Sequence, residues 1–84
     1  MNLFSASWKM NKSKIEMEKQ NFYKAISRKK KAEVLESYRK IQMTFSEIPM
    51  SVANVFQKWT VKKYQKKTLA ELQSVMDKKR WMKD

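Results

Sequence analysis

Apolar residues recur through most of this chain at spacings of three and four, the signature of helices with one buried face. The clearest run is Val34, Tyr38, Ile41, Phe45 and Ile48, spaced 4, 3, 4 and 3. Leu35 widens that stripe, while Glu33 and Glu36 fall off it, as residues of a solvated face do. Pro49 ends the helix, because its ring removes a backbone donor and disfavours helical geometry at Ile48. Upstream, Trp8, Ile15 and Phe22 recur every seven residues and Ile26 follows one turn later, which predicts a second helix over about 7–28. Arg28-Lys29-Lys30-Lys31 either links the two helices or continues the first without a break. Downstream, Ser51 is a candidate N-cap. Val52, Val55, Phe56 and Trp59 follow at i, i+3, i+4 and i+7, with Val61 and Tyr64 prolonging the apolar side. Thr68-Leu69-Ala70-Glu71 has the form of a capping box opening a last helix, whose buried face is Leu69, Leu72, Val75 and Met76 and which frays after Asp77.

These elements predict an all-α protein. A basic N-terminal arm or helix over 1–31 precedes a three-helix antiparallel bundle over 32–84, its short connections favouring antiparallel neighbours. Composition supports the class. The 84 residues include no glycine and one proline, and tight hairpins need the positive φ that glycine usually supplies. The length allows one domain with a thin core, which a partner can help to stabilise. No run approaches the 18 or more apolar residues of a membrane-spanning helix.

Chemistry is narrowed by what is missing. With neither cysteine nor histidine, the chain has no disulfide, no thiolate nucleophile, no usual zinc ligand set and no imidazole base. A phosphate-cradling glycine loop is excluded as well. The eight carboxylates form no paired acid and base. No catalytic and no metal-ligating residue is expected, so the sequence points to a binding protein and not to an enzyme.

Charge then sets the kind of partner. Lys and Arg number 20 against 8 Asp and Glu, a net charge of +12. Residues 1–31 carry nine basic and two acidic groups, and residues 50–67 carry five lysines and no acid. Such a field attracts RNA, DNA, anionic lipid or an acidic protein. Seven methionines add a hint of adaptable contacts. Met10, Met17, Met43 and Met50 do not share one buried stripe, which places some of them against another chain.

Val34-Leu35 followed by Ser37-Tyr38-Arg39 resembles the signature of the LYR-motif family of small mitochondrial three-helix proteins. Members open their first core helix with a Val-Leu pair and a Leu-Tyr-Arg or Leu-Tyr-Lys tripeptide. Ile48-Pro49, Trp59 and Tyr64 fall about where one branch of the family places a Leu-Pro pair, a Tyr and a Phe. Ser37 stands in place of the family's Leu and Tyr64 in place of its Phe. The resemblance covers roughly 32–76 and implies a mitochondrial adaptor or accessory subunit on the matrix side, belonging to a respiratory complex, its assembly, or the mitoribosome. It also implies an acidic partner, acyl carrier protein. The carrier would dock on Tyr38, Arg39 and Lys40 and on Lys58, Lys62, Lys63, Lys66 and Lys67. The chain would bind no cofactor directly, but the carrier's acyl-phosphopantetheine arm would insert its acyl chain among Val34, Ile41, Phe45, Val55 and Trp59.

Other readings stay open. The same apolar residues suit ordinary core packing, and Arg39 and Lys40 suit a solvated face. Arg28, Lys29, Lys30 and Lys31, with the lysines from 58 to 67, can hold phosphates, which makes a basic RNA-binding protein such as a small ribosomal component the alternative. Phe22, Tyr23 and Trp81 would then stack on unpaired bases. A third reading places Phe4 and Trp8 of the lysine-rich first segment in an anionic membrane surface. That segment also has the look of an uncleaved amphipathic import signal.

Overall fold

The computed structural model describes residues 3–83. It contains three long helices and no strand among the described residues: α1 (Leu3–Ser27), α2 (Lys31–Ser46) and α3 (Val55–Asp77). Single 3-10 turns lie at Met50–Val52 and Arg80–Met82. The all-helical bundle expected from the periodicity is present, but its parts are divided differently. The N-terminal helix is not an extension beside a bundle. It is one of the three bundle helices, and residues 32–84 hold two helices instead of three.

Two local features explain the difference. The basic run 28–31 breaks the chain instead of continuing α1. Lys29 adopts φ 55, and the turn closes with Lys30 N–H donating to the Ala25 carbonyl (3.0 Å) and Lys29 N–H to the Ile26 carbonyl (3.1 Å). This is the paired bonding that ends a helix on a left-handed residue. Glycine normally takes that position, and a side chain there costs about 1 kcal/mol or more. Further on, the expected helix from Ser51 and the expected helix from Thr68 are one. No glycine or proline interrupts residues 55–77, and Thr68 is not a cap. Its side chain is buried in mid-helix.

Ser51 lies in the 3-10 turn, and the N-cap of α3 is Asn54. Its carboxamide oxygen accepts from Gln57 N–H at 2.8 Å, and the Gln57 side-chain oxygen accepts from Asn54 N–H at 2.8 Å. This reciprocal pair satisfies two donors that a helix start otherwise leaves open. Proline also acts as expected, with α2 ending shortly before Pro49.

The core runs along the axis of a rod 44 × 17 × 14 Å in extent. Phe4, Ile15, Phe22 and Ala25 of α1 meet Val34, Ile41 and Phe45 of α2, and Val61, Leu72 and Met76 of α3 close the third side. Ile48, just past α2, caps the core at one end. The stripe on α1 (4, 8, 11, 15, 22, 25) advances by three, four or seven residues, as one face of a helix does, with buried Asn11 bonded to Ser7 (3.0 Å) as its one amide. Burying each large apolar side chain stabilises by roughly 1.5–3 kcal/mol. Cross-helix pairs fix direction. Trp8 and Glu16 meet Tyr64, while Lys19 and Tyr23 meet Glu71, so α1 and α3 run parallel. Phe45 meets Tyr64, and Tyr38 shares a cleft with Met76, so α2 runs against both.

Candidate docking surface

The buried stripe of α3 starts at Val61 and continues through Tyr64, Thr68, Leu72 and Met76. Carried back toward the helix start at 3.6 residues per turn, the same stripe reaches Gln57 and Asn54, both polar. The apolar residues of that first part therefore sit on the opposite face. Val55, Phe56 and Trp59 are 80%, 82% and 61% exposed. Val52 and Leu3, also exposed, lie at the same end of the rod. Between Phe56 and the core, a cleft of about 250 Å³ is bounded by Phe4, Ser5, Trp8, Gln57 and Thr60.

Five lysines share this outward side. Lys58, Lys62, Lys63, Lys66 and Lys67 are all exposed, and no acid occurs between Glu47 and Glu71. Lys63 places its ammonium 4.8 Å from the Trp59 ring centroid, where the ring's negative face attracts it. Large exposed apolar side chains among unpaired cations are an unusual surface for a small chain to leave open.

The expected partner-binding set thus divides. The five lysines form one surface on α3. Tyr38, Arg39 and Lys40 lie on α2 and do not join it. Tyr38 is half-buried against the core. Arg39 is held within its own helix, donating to both carboxylate oxygens of Glu36 (2.8 and 3.2 Å) and to the Met43 sulfur (3.0 Å). That hydrogen bond is the main cause holding the Glu36 carboxyl below, and the Arg39 guanidinium above, their ordinary pKa ranges. The expected acyl-lining set divides too. Val34, Ile41 and Phe45 are core residues, but Val55 and Trp59 face outward and line no interior space. Val55, Phe56 and Trp59 share one uncovered face of α3, but Val52 precedes the helix in the 3-10 turn, and Val61 and Tyr64, expected to prolong that apolar side, lie on the core face instead. The tripeptide Ser37-Tyr38-Arg39 occupies the middle helix with one helix after it, whereas the LYR resemblance implies the first helix with two after it. Ser37 itself is buried.

The membrane reading of the first segment also changes. Phe4 is in the core, and Trp8 packs edge-on against Tyr64 at 5.5 Å. Of the aromatic residues expected to stack on bases, Phe22 is fully buried and Trp81 is half-buried on the core. Met10, Met17 and Met43 are exposed, as their positions off the stripe suggest, whereas Met50 is half-buried against the core.

A polar seam joins α1 and α3. Tyr64 hydrogen-bonds Glu16, Tyr23 hydrogen-bonds Glu71, and Lys19 stands 3.6 Å from Glu71. Burial first, then the hydrogen bond to Glu71, pushes the Tyr23 hydroxyl up to about 12. Burial and Glu16 raise Tyr64 likewise. No local signal announces these pairs, since their partners lie 48 residues apart. Among the described residues no helix is long and apolar enough to cross a membrane, and no group of three acidic residues is placed to hold a metal ion.

Comparison with known proteins adds no relative: no family model matches the chain, and neither the curated proteins nor the solved structures give a significant match.

Proposed function

We propose that this chain is a non-catalytic helical adaptor that docks an acidic protein through the outward face of the first half of α3. One observation carries the reading: Val55, Phe56 and Trp59 stand exposed at the head of a row of five lysines. Aromatic and aliphatic anchors flanked by cations suit an amphipathic acidic helix lying along α3, with apolar residues toward the Asn54 end and carboxylates over the next turns. A second copy of this chain does not suit the face, because the lysines would oppose one another. Lysine accelerates encounter and selects for negative charge, while the apolar anchors supply most of the affinity.

The resemblance to the LYR-motif family supplies a concrete candidate, acyl carrier protein, and with it a mitochondrial setting and a host assembly. The core at Val34, Ile41 and Phe45 is closed, so the carrier would dock by its acidic surface and keep its acyl chain outside the bundle. The test is a photo-crosslinking residue placed at Trp59 in the native cell, with Met17 as the control position. The expected product is a cross-link at 59 to a protein of low isoelectric point, lost when Lys62, Lys66 and Lys67 become glutamate. Equal yields at 59 and 17, or a basic protein captured at 59, would overturn the proposal.

A further inference from the structure

The opposite end of the rod carries a second basic surface that no part of the docking reading uses. We propose that it binds the phosphodiester backbone of a nucleic acid. The surface is assembled from two distant stretches, Arg28-Lys29-Lys30-Lys31 and Lys78-Lys79-Arg80 with Lys83. Their convergence follows from the parallel course of α1 and α3. From the contact between Tyr23 and Glu71, five residues lead to Arg28 and seven to Lys78, advances of about 7 and about 10 Å in the same direction. Leu35 of α2 shares a cleft with Met82 and Lys83, which draws the C-terminal segment to the start of that helix, beside the turn.

Eight basic residues thus gather at one pole, and Glu33 and Asp77 are the acids among the described residues there. Asp77 already accepts a hydrogen bond from the Gln73 carboxamide at 3.0 Å. The turn also keeps a lysine at the left-handed position 29, where glycine would relieve the backbone.

The chemistry of the pole favours phosphate over the other anionic partners. Apart from Leu35 at its edge and the small Ala32, it exposes no aliphatic residue among the described residues, and Trp81 and Met82 are half-buried on the core. Protein interfaces exclude lysine from their centres, whereas a cluster of cations can bind a phosphate chain without apolar anchors. With Phe22 buried, Trp81 half-buried on the core and the Tyr23 hydroxyl held by Glu71, stacking on bases is restricted and binding is expected to depend little on sequence.

The test is fluorescence anisotropy of the full chain with single-stranded RNA, duplex RNA and duplex DNA, each in two unrelated sequences, over a salt series. With about six phosphates contacted, log affinity should fall against log salt with a slope of about −4 to −5. Arg28→Gln, Lys30→Gln, Lys79→Gln and Arg80→Gln together should flatten that slope by about three and weaken binding at least about 100-fold near 50 mM salt. The matched set Lys58→Gln, Lys62→Gln, Lys66→Gln and Lys67→Gln should leave most of the affinity in place, and circular dichroism checks that both sets stay helical. Pole-dependent binding in any of the three arms supports the proposal, and the arms say which nucleic acid is preferred. It is overturned by no binding in all three, by equal loss in the two sets, or by pole-dependent binding to phosphatidylserine vesicles without binding to nucleic acid. Because the α3 set is varied separately, failure here leaves the acidic-protein reading standing, and the reverse holds too.

Discussion

The two halves of α3 are built from the same kinds of residue and end in opposite environments. From Val61 to Met76 the apolar positions face α1 and α2, with Leu72 wholly buried. From Val55 to Trp59 they face away, on a helix that continues without a break. The crossover is made by phase. The stripe that serves the core reaches polar Gln57 and Asn54 at the helix start, and Gln57 is occupied in the cap. Both halves are amphipathic, and only one has found its second surface within the chain. An apolar stripe therefore reports that something is to be covered, without reporting what covers it.

The largest expected effect separates the halves directly. Leu72→Ala removes a fully enclosed side chain and should destabilise the fold by about 2–5 kcal/mol in urea denaturation followed by circular dichroism. Phe56→Ala should change stability by less than about 0.5 kcal/mol, because an exposed side chain leaves no cavity. A cost for Phe56→Ala comparable to that of Leu72→Ala would erase the distinction between the halves.

Next in size is Tyr64, where α3 is tied to both neighbours. Its hydroxyl bonds Glu16, and its ring meets Trp8 and Phe45. Tyr64→Phe keeps the ring, removes the hydrogen bond to the exposed Glu16 carboxylate and should cost about 1–2 kcal/mol. The pH dependence has a definite sign. The folded protein holds both the Tyr64 and Tyr23 hydroxyls neutral above the ordinary value of 10.0, Tyr23 up to about 12. An unfolded tyrosine ionises near 10, so this contribution is complete below pH 10 and is lost as pH rises through the folded values. The difference in stability between wild type and Tyr64→Phe should shrink above about pH 10, and a difference that stays flat to pH 12 contradicts the assignment.

How far the sequence could reveal all this depends on range. The stripe on α2 was legible because each of its contacts repeats within a turn, and Pro49 supplied the stop. The fusion of 55–77 into one helix was obscured by Thr68-Leu69-Ala70-Glu71. That pattern matches a capping box, but its threonine is buried in mid-helix. The role of α1 as a full member of the bundle was also hidden. Trp8, Ile15 and Phe22 showed that it had a face to bury, and no local rule said against which helix. The lysines of the docking surface were identified by charge alone. Their separation from Arg39 was not, since it follows from how α2 and α3 are turned about the core.

A smaller effect tests the boundary between the halves. Asn54→Ala removes the acceptor for Gln57 N–H and one side of the reciprocal cap, which should cost about 1 kcal/mol. The loss should be local. Amide exchange should rise across the first turn of α3, from Val55 to Lys58, and stay unchanged at Leu72. Protection lost equally at both places would mean that the outward half is held by more than its cap.

The smallest effect belongs to the exposed face itself. Lys63 stands over the Trp59 ring at 4.8 Å with both side chains in solvent. A cation and ring in that setting attract by about 0.5–1 kcal/mol, which a double-mutant cycle with Lys63→Gln and Trp59→Leu should recover as the coupling energy. The attraction matters less for stability than for readiness. It holds the indole along α3 in the free protein, so an incoming helix finds the anchor already placed and loses less side-chain entropy on binding. If the contact serves docking in this way, Lys63→Gln should weaken capture at Trp59 more than Lys58→Gln does, although both remove one charge. Equal weakening by the two substitutions would reduce Lys63 to a share of the field, and the aromatic contact would carry no part of recognition.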